Sequence, residues 1–125
     1  MKKLSNLTSV SEVRIKLYPE NFEATRDFYG TFLGFKVVTE WNNSELDRGV
    51  MFDVGGTILE LLARKADVKV KGADMSLEVA DVRKLWEELK TYPKIAHAIR
   101  ENSWGDTSFA ILDPEGSKIS FFTKV

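Results

Sequence analysis

Val13-Arg14-Ile15-Lys16-Leu17-Tyr18-Pro19-Glu20-Asn21-Phe22-Glu23-Ala24-Thr25-Arg26-Asp27-Phe28-Tyr29-Gly30-Thr31-Phe32-Leu33-Gly34-Phe35-Lys36-Val37-Val38 is the stretch on which the fold turns. Val13 to Leu17 alternates apolar and polar residues, the period of a half-buried strand. Asn21 is placed to cap a helix in which Phe22, Thr25, Phe28, Tyr29, Phe32 and Leu33 fall near helical spacing, and Gly34 is placed to end it. A strand-like run, Phe35 to Thr39, follows, and Arg48 to Asp53 and Thr57 to Leu62 continue the pattern.

The order strand, helix, three strands then comes again. Met75 to Val79 alternates like the first strand, and Asp81 caps a helix with Val82, Leu85, Trp86 and Leu89 on one face. Three strand-like runs follow: Ile95 to Arg100, Thr107 to Leu112 and Ser117 to Thr123. Asn21 and Asp81, Asp53 and Asp113, and Gly56 and Gly116 are each 60 residues apart. Matching caps and turn residues at one spacing point to an internal duplication with no net insertion between equivalent points. Asp53-Val54-Gly55-Gly56 and Asp113-Pro114-Glu115-Gly116 both join strand to strand; Pro114 presets φ and Gly116 supplies positive φ. Neither leads into a helix, so neither is a phosphate loop. The expected organisation is an N-terminal extension over 1–12, a first module over 13–63, a linker over 64–73 carrying Lys65, Lys69 and Lys71, and a second module over 74–125.

Composition narrows the chemistry. The 125 residues hold 18 basic and 19 acidic side chains, a formal net charge of -1, without the basic excess that neutralising nucleic-acid phosphates requires. Cys is 0, which removes disulfides, thiolate metal sites and cysteine nucleophiles, and His is 1, which removes any site built on several imidazoles of one chain. No apolar run approaches the roughly 20 residues of a membrane span, and the start has no apolar segment behind its two lysines. A cytoplasmic protein that contacts neither nucleic acid nor membrane is the expectation.

Strand geometry nominates one surface. Val13, Ile15 and Leu17 share the face that should receive the first helix, leaving Arg14, Lys16 and Tyr18 on the other. In the second half Met75, Leu77 and Val79 oppose Asp74, Ser76 and Glu78. Glu60 is a lone carboxylate in the apolar run Ile58 to Leu62, where an acid needs a partner, and Arg14 is the obvious candidate if the strands are neighbours. Structural pairing and ligand binding both remain open for it.

Phe28-Tyr29 followed by Leu33-Gly34-Phe35, Leu59-Glu60-Leu61 at the end of the first half, and Trp104-Gly105 ahead of Asp113-Pro114-Glu115-Gly116 resemble, in order and spacing, the vicinal oxygen chelate superfamily. That group contains glyoxalase I, bleomycin-resistance proteins and extradiol dioxygenases. The resemblance covers Val13 to Thr123 and implies an α+β fold: two tandem βαβββ modules forming a curled, partly open barrel-like sheet around a cleft. Homodimers are common in it. Its metal-dependent members place one ligand on the first and one on the last strand of each half, usually His first and Glu last. Carried over, those positions are Arg14, Glu60, Asp74 and Ser120. Only Glu60 keeps the usual ligand type. A guanidinium is always cationic and offers only donors, and a serine hydroxyl is a poor replacement for a carboxylate. The expectation is therefore no metal and no cofactor. His97, on the run Ile95 to Arg100, stands at no ligand position of that family and reads as a surface or edge-strand residue.

The functional expectation is a metal-free small-molecule-binding protein of the glyoxalase/bleomycin-resistance type, a homodimer sequestering a drug or metabolite. Its ligand-binding set is Arg14, Lys16, Tyr18, Glu60, Asp74, Trp104, Ser120 and Phe122. Arg14 and Lys16 suit a carboxylate or phosphate; Glu60, Asp74 and Glu78 suit a cation; Tyr18, Trp41, Trp104 and Phe122 suit a planar or cationic group. Two other classes stand beside it. One is an enzyme, with Glu60 or Asp74 as general base or with diverged lyase or dioxygenase activity; the other is a dimeric structural domain with no ligand.

Overall fold

The computed structural model describes residues 10–63 and 73–124. Most of the expected N-terminal extension and all but Ala73 of the expected linker lie outside them. The chain divides into two compact units, Met1–Asp67 and Val68–Val125.

The first unit contains β1 (Arg14–Leu17), α1 (Phe22–Asp27), a π-helical turn (Phe28–Phe32), β2 (Lys36–Ser44), β3 (Asp47–Val54) and β4 (Thr57–Leu62). Its strands form one mixed sheet in the order β1-β4-β3-β2, with β1 parallel to β4 and the other pairs antiparallel. The second unit contains β5 (Asp74–Glu78), α2 (Val82–Leu89), β6 (Ile95–Glu101), β7 (Asp106–Leu112) and β8 (Lys118–Lys124). Its sheet runs β5-β8-β7-β6 with the same directions. Each unit is thus the expected βαβββ module, and the fold class is α+β.

Both helices start at the expected caps: the Asn21 side chain accepts from the Ala24 N–H at 3.0 Å, and Asp81 accepts from the Lys84 N–H at 3.2 Å. The first helix departs from the regular α-helix that the spacing predicts. From Phe28 it widens, and the Leu33 N–H reaches the Phe28 carbonyl at 2.9 Å, a five-residue step. The wider turn buries Phe28 and Tyr29 together, with Phe28 meeting Tyr29 edge-on at 5.0 Å. Gly30 permits this because a Cβ there would lie 3.0 Å from Phe52. Gly34, at φ +76°, then turns the chain into β2.

Each sheet packs its helix on one face. In the first module that face carries Ile15, Leu59, Phe52, Leu17, Leu61 and Val50, paired across the strands, with Tyr29 of the π turn against Phe52. In the second it carries Leu77, Phe121 and Phe109, with the Trp86 ring 5.2 Å from Phe109. Burying each large side chain contributes roughly 1.5–3 kcal/mol, so these layers hold the modules together.

The two last hairpins differ although their sequences keep the 60-residue spacing. Gly55 and Gly56 both have positive φ (59° and 85°), and Val54 pairs with Thr57 across a two-residue loop. Pro114 cannot take positive φ. There the Gly116 N–H bonds the Asp113 carbonyl at 3.0 Å and the Asp113 N–H bonds the Ser117 carbonyl at 2.8 Å, a type I turn closed by a left-handed glycine. The register slips by one residue. Met51 faces Glu60 in the first module, whereas Ala110, not Ile111, faces Ser120 in the second.

Candidate functional site

On the face of the first sheet away from α1, β1 and β4 set Arg14 beside Ile58 and Lys16 beside Glu60, and β3 sets Met51 on the other side of Glu60. Thr39 and Trp41 extend the surface on β2, the indole lying so close over Gly49 that a Cβ there would meet its ring at 2.3 Å. Gly49 is the residue that allows this ring to lie on the sheet.

Glu60 is the centre of this face. Its side chain is 6% exposed, and Arg14 Nη1 stands 3.9 Å from its Oε1. The partnership expected between these two residues is present, but only as a long-range charge contact. Oε1 is buried and accepts no hydrogen bond. The Arg14 side chain, 43% exposed, donates its Nε to Glu12 instead. The Glu12 carboxylate, first through that hydrogen bond and then through its charge, raises the Arg14 pKa, and Glu60 adds a smaller pull in the same direction. The guanidinium is a permanent positive charge leaning towards a carboxylate that it does not satisfy.

In the second module the same face carries Asp74 beside Lys118, Ser76 beside Ser120, and Glu78 beside Phe122. Ser120 and Phe122 are half-buried, and Asp74 is exposed. Across β8, Ser120 meets Ala110 and Phe122 meets Ser108. His97 and Arg100 complete these two rows from β6. His97 is on an edge strand, as expected, and half-buried; its Nδ1 lies 3.0 Å from the Ala98 carbonyl. Its place in the Ser120 row was not visible in the sequence, because it depends on register shifts along β6 on both sides of His97. Trp104 is 72% exposed at the tip of the β6–β7 turn. That turn is braced by Asn102, whose side-chain amide donates to Asp106 at 2.7 Å and to Ser108 at 2.8 Å. Tyr18 follows β1 and is half-buried.

The structure therefore gathers Arg14, Lys16 and Glu60 on one face of the first module. It gathers Asp74, Ser120 and Phe122 on the corresponding face of the second, and holds Trp104 apart on a turn.

The chain matches the family model of the Glyoxalase/Bleomycin resistance protein/Dioxygenase superfamily over residues 13–121, and it belongs to that superfamily. Among solved structures it is similar to a lactoylglutathione lyase from Agrobacterium tumefaciens (18% identity, covering 93% of each chain, TM-score 0.71). It is similar to a superfamily member from Sphaerobacter thermophilus DSM 20745 (18% identity, 94% of this chain and 100% of that one, TM-score 0.73). A glyoxalase family protein from Enterococcus faecalis is also similar (21% identity, 93% of this chain and 98% of that one, TM-score 0.66). At these identities the likeness shows the fold. Among curated proteins the chain finds no match.

Metal-dependent relatives would place a divalent ion among the four positions held here by Arg14, Glu60, Asp74 and Ser120. The donor set does not fit one. A guanidinium offers no lone pair and stands within 3.9 Å of the carboxylate that would be the principal ligand. Ser120 brings a neutral hydroxyl where a carboxylate is needed. Among the described residues, no group of three or more His, Asp or Glu side chains is placed to hold an ion. No helix among them is long and apolar enough to cross a membrane.

Proposed function

We propose that this protein binds a small organic molecule without a divalent metal, sequestering it rather than transforming it. The ligand rests on the face of the first sheet that carries Arg14, Lys16 and Glu60. The observation supporting this reading is the incomplete Arg14–Glu60 pair. A buried carboxylate oxygen without a donor costs roughly 1–3 kcal/mol, more because the group is charged, and a ligand that supplies the donor recovers that cost on binding. Arg14, fixed in charge and half exposed, offers the complementary donors to the same ligand. Tyr18, which follows β1, adds an aromatic surface in the same module; Asp74, Ser120, Phe122 and Trp104 are proposed as ligand contacts of the second module taken by itself.

The test is a thermal-shift and calorimetric panel of bleomycin, other planar antibiotics and small organic acids, run beside Ni²⁺, Zn²⁺, Mn²⁺ and Fe²⁺. At least one organic ligand is expected to raise Tm, with affinity falling tenfold or more, about 1.4 kcal/mol, in Glu60→Gln. Stoichiometric metal uptake abolished by Glu60→Ala would overturn the metal-free reading. The same unpartnered oxygen also favours a second reading, with Glu60 as a general base. Recovery of the bound ligand unchanged after prolonged incubation separates binding from turnover.

A further inference from the structure

We infer that Arg14 and Glu60 form a donor–acceptor clamp for a ligand bearing an N–H and a C=O on neighbouring atoms, such as the edge of a lactam, a primary amide or a cyclic urea. This rests on the binding reading above and names the chemistry of its ligand.

One unsatisfied acceptor and one nearby donor define the clamp. Glu60 Oε1 is a buried anionic acceptor with no donor. Arg14 Nη1, at 3.9 Å, is too far away to be that donor, and the guanidinium is held there through its Nε by Glu12. In an amide the nitrogen and oxygen share one carbon and stand about 2.3 Å apart, and in a lactam, primary amide or cyclic urea an N–H points to the same side as the oxygen. Hydrogen bonds of about 2.9 Å from that N–H to Oε1, and from Nη1 to that oxygen, close a symmetric four-sided figure. Its long side is the observed 3.9 Å gap.

Simpler ligands satisfy only half of it. A carboxylate meets Arg14 but brings a second anion against Glu60. An ammonium meets Glu60 but stands against the guanidinium. Each is rejected by the half it does not match, which is how a small site discriminates. Ile58, in register with Arg14, and Met51, in register with Glu60, supply apolar surface on both sides of the pair. A flat ring carrying the amide edge packs there, and an unbranched methionine adapts to its outline. Arg14 lies on β1, an edge strand of its sheet, and its side chain is 43% exposed, so its half of the clamp is in contact with solvent.

The probe is 2-pyridone, with N-methyl-2-pyridone as its counterpart lacking the N–H, both titrated into the full chain and followed by ¹H–¹⁵N NMR. The expected result is saturable shifts at Arg14, Met51 and Glu60 with 2-pyridone, and about tenfold weaker binding of the N-methyl compound. Glu60→Leu should erase the difference between the two probes, and Arg14→Leu should weaken both. Equal binding of the two probes to the unaltered protein, or shifts mapping to another surface, overturns the clamp without recourse to any variant. If an antibiotic or acid from the panel binds this face while the probes are not discriminated, the clamp fails and the binding reading stands. If nothing perturbs this face, both fail.

Discussion

The two modules share strand order, directions and helix caps, yet the sheet faces turned away from their helices carry different chemistry. The first presents a guanidinium and a lysine around the buried acid Glu60; the second presents Asp74, Ser76, Ser120 and Phe122 at the corresponding rows. Their hairpins differ in the same way. The loop before β4 is a glycine pair braced by one bond, Gly56 N–H to Asp53 Oδ1 at 3.0 Å. The loop before β8 is organised by Asp113, fully buried, whose Oδ1 accepts from the Glu115 and Ser117 N–H groups at 2.8 Å each. One scaffold, used twice, leaves the helix-packed layer to stability and frees the opposite layer to diverge. Fold and chemistry are written in alternate residues of the same strands.

The contrast between the loops yields the largest expected effect on stability. Asp113→Ala strands one buried and one part-buried backbone donor and should cost about 3 kcal/mol, whereas Asp53→Ala, which removes one exposed bond, should cost under about 1 kcal/mol. Urea denaturation measures both, and equal losses would break the comparison. A second, intermediate effect belongs to the second module alone. The Tyr92 hydroxyl donates to the Leu112 carbonyl at 2.7 Å, and burial first, then the Asp113 charge, raises its pKa. The unfolded chain therefore gives up this proton first. The contribution is complete below about pH 10 and is lost as pH climbs through the folded pKa. Tyr92→Phe should cost about 1 kcal/mol at neutral pH and flatten that alkaline decline. The smallest effect is on the first module, where Arg26 hydrogen-bonds Glu40 across α1 and β2. That bond, then the Arg26 charge against some burial cost, lowers the Glu40 pKa from 4.5. Its stabilisation is present above about pH 4.5 and fades as pH falls. Both side chains are about a third exposed, so Glu40→Gln should change stability by less than about 1 kcal/mol and blunt only the acid limb of the pH profile.

Much of this architecture is legible in the sequence because it rests on local signals. Asn21 and Asp81 cap as their residue types dictate, and β4 spans the Thr57 to Leu62 that its apolar run marks. β2 is longer than Phe35 to Thr39 because most of its residues are exposed on both faces. Pairing with β3, not burial, carries the strand to Ser44, and exposed positions leave no alternation to read. The π turn is hidden for a related reason: Phe28 and Phe32, four apart, suit an α-helix equally well. At the site, Glu60 stands out as an acid in an apolar strand, and Arg14 follows from strand adjacency. That their contact stops at 3.9 Å does not, since it depends on Glu12 drawing the guanidinium away.

The glycine pair at one hairpin and the proline turn at the other carry a warning for anyone who transplants residues between the halves. Arg48 lies under α1, its guanidinium 4.4 Å from the Phe22 ring, while Ser108, its counterpart by numbering, faces away from α2 beside Phe122. A substitution copied along the third strand by simple counting would deliver its side chain to the opposite layer, so grafts between the halves must be matched by hydrogen-bond partner, not by position.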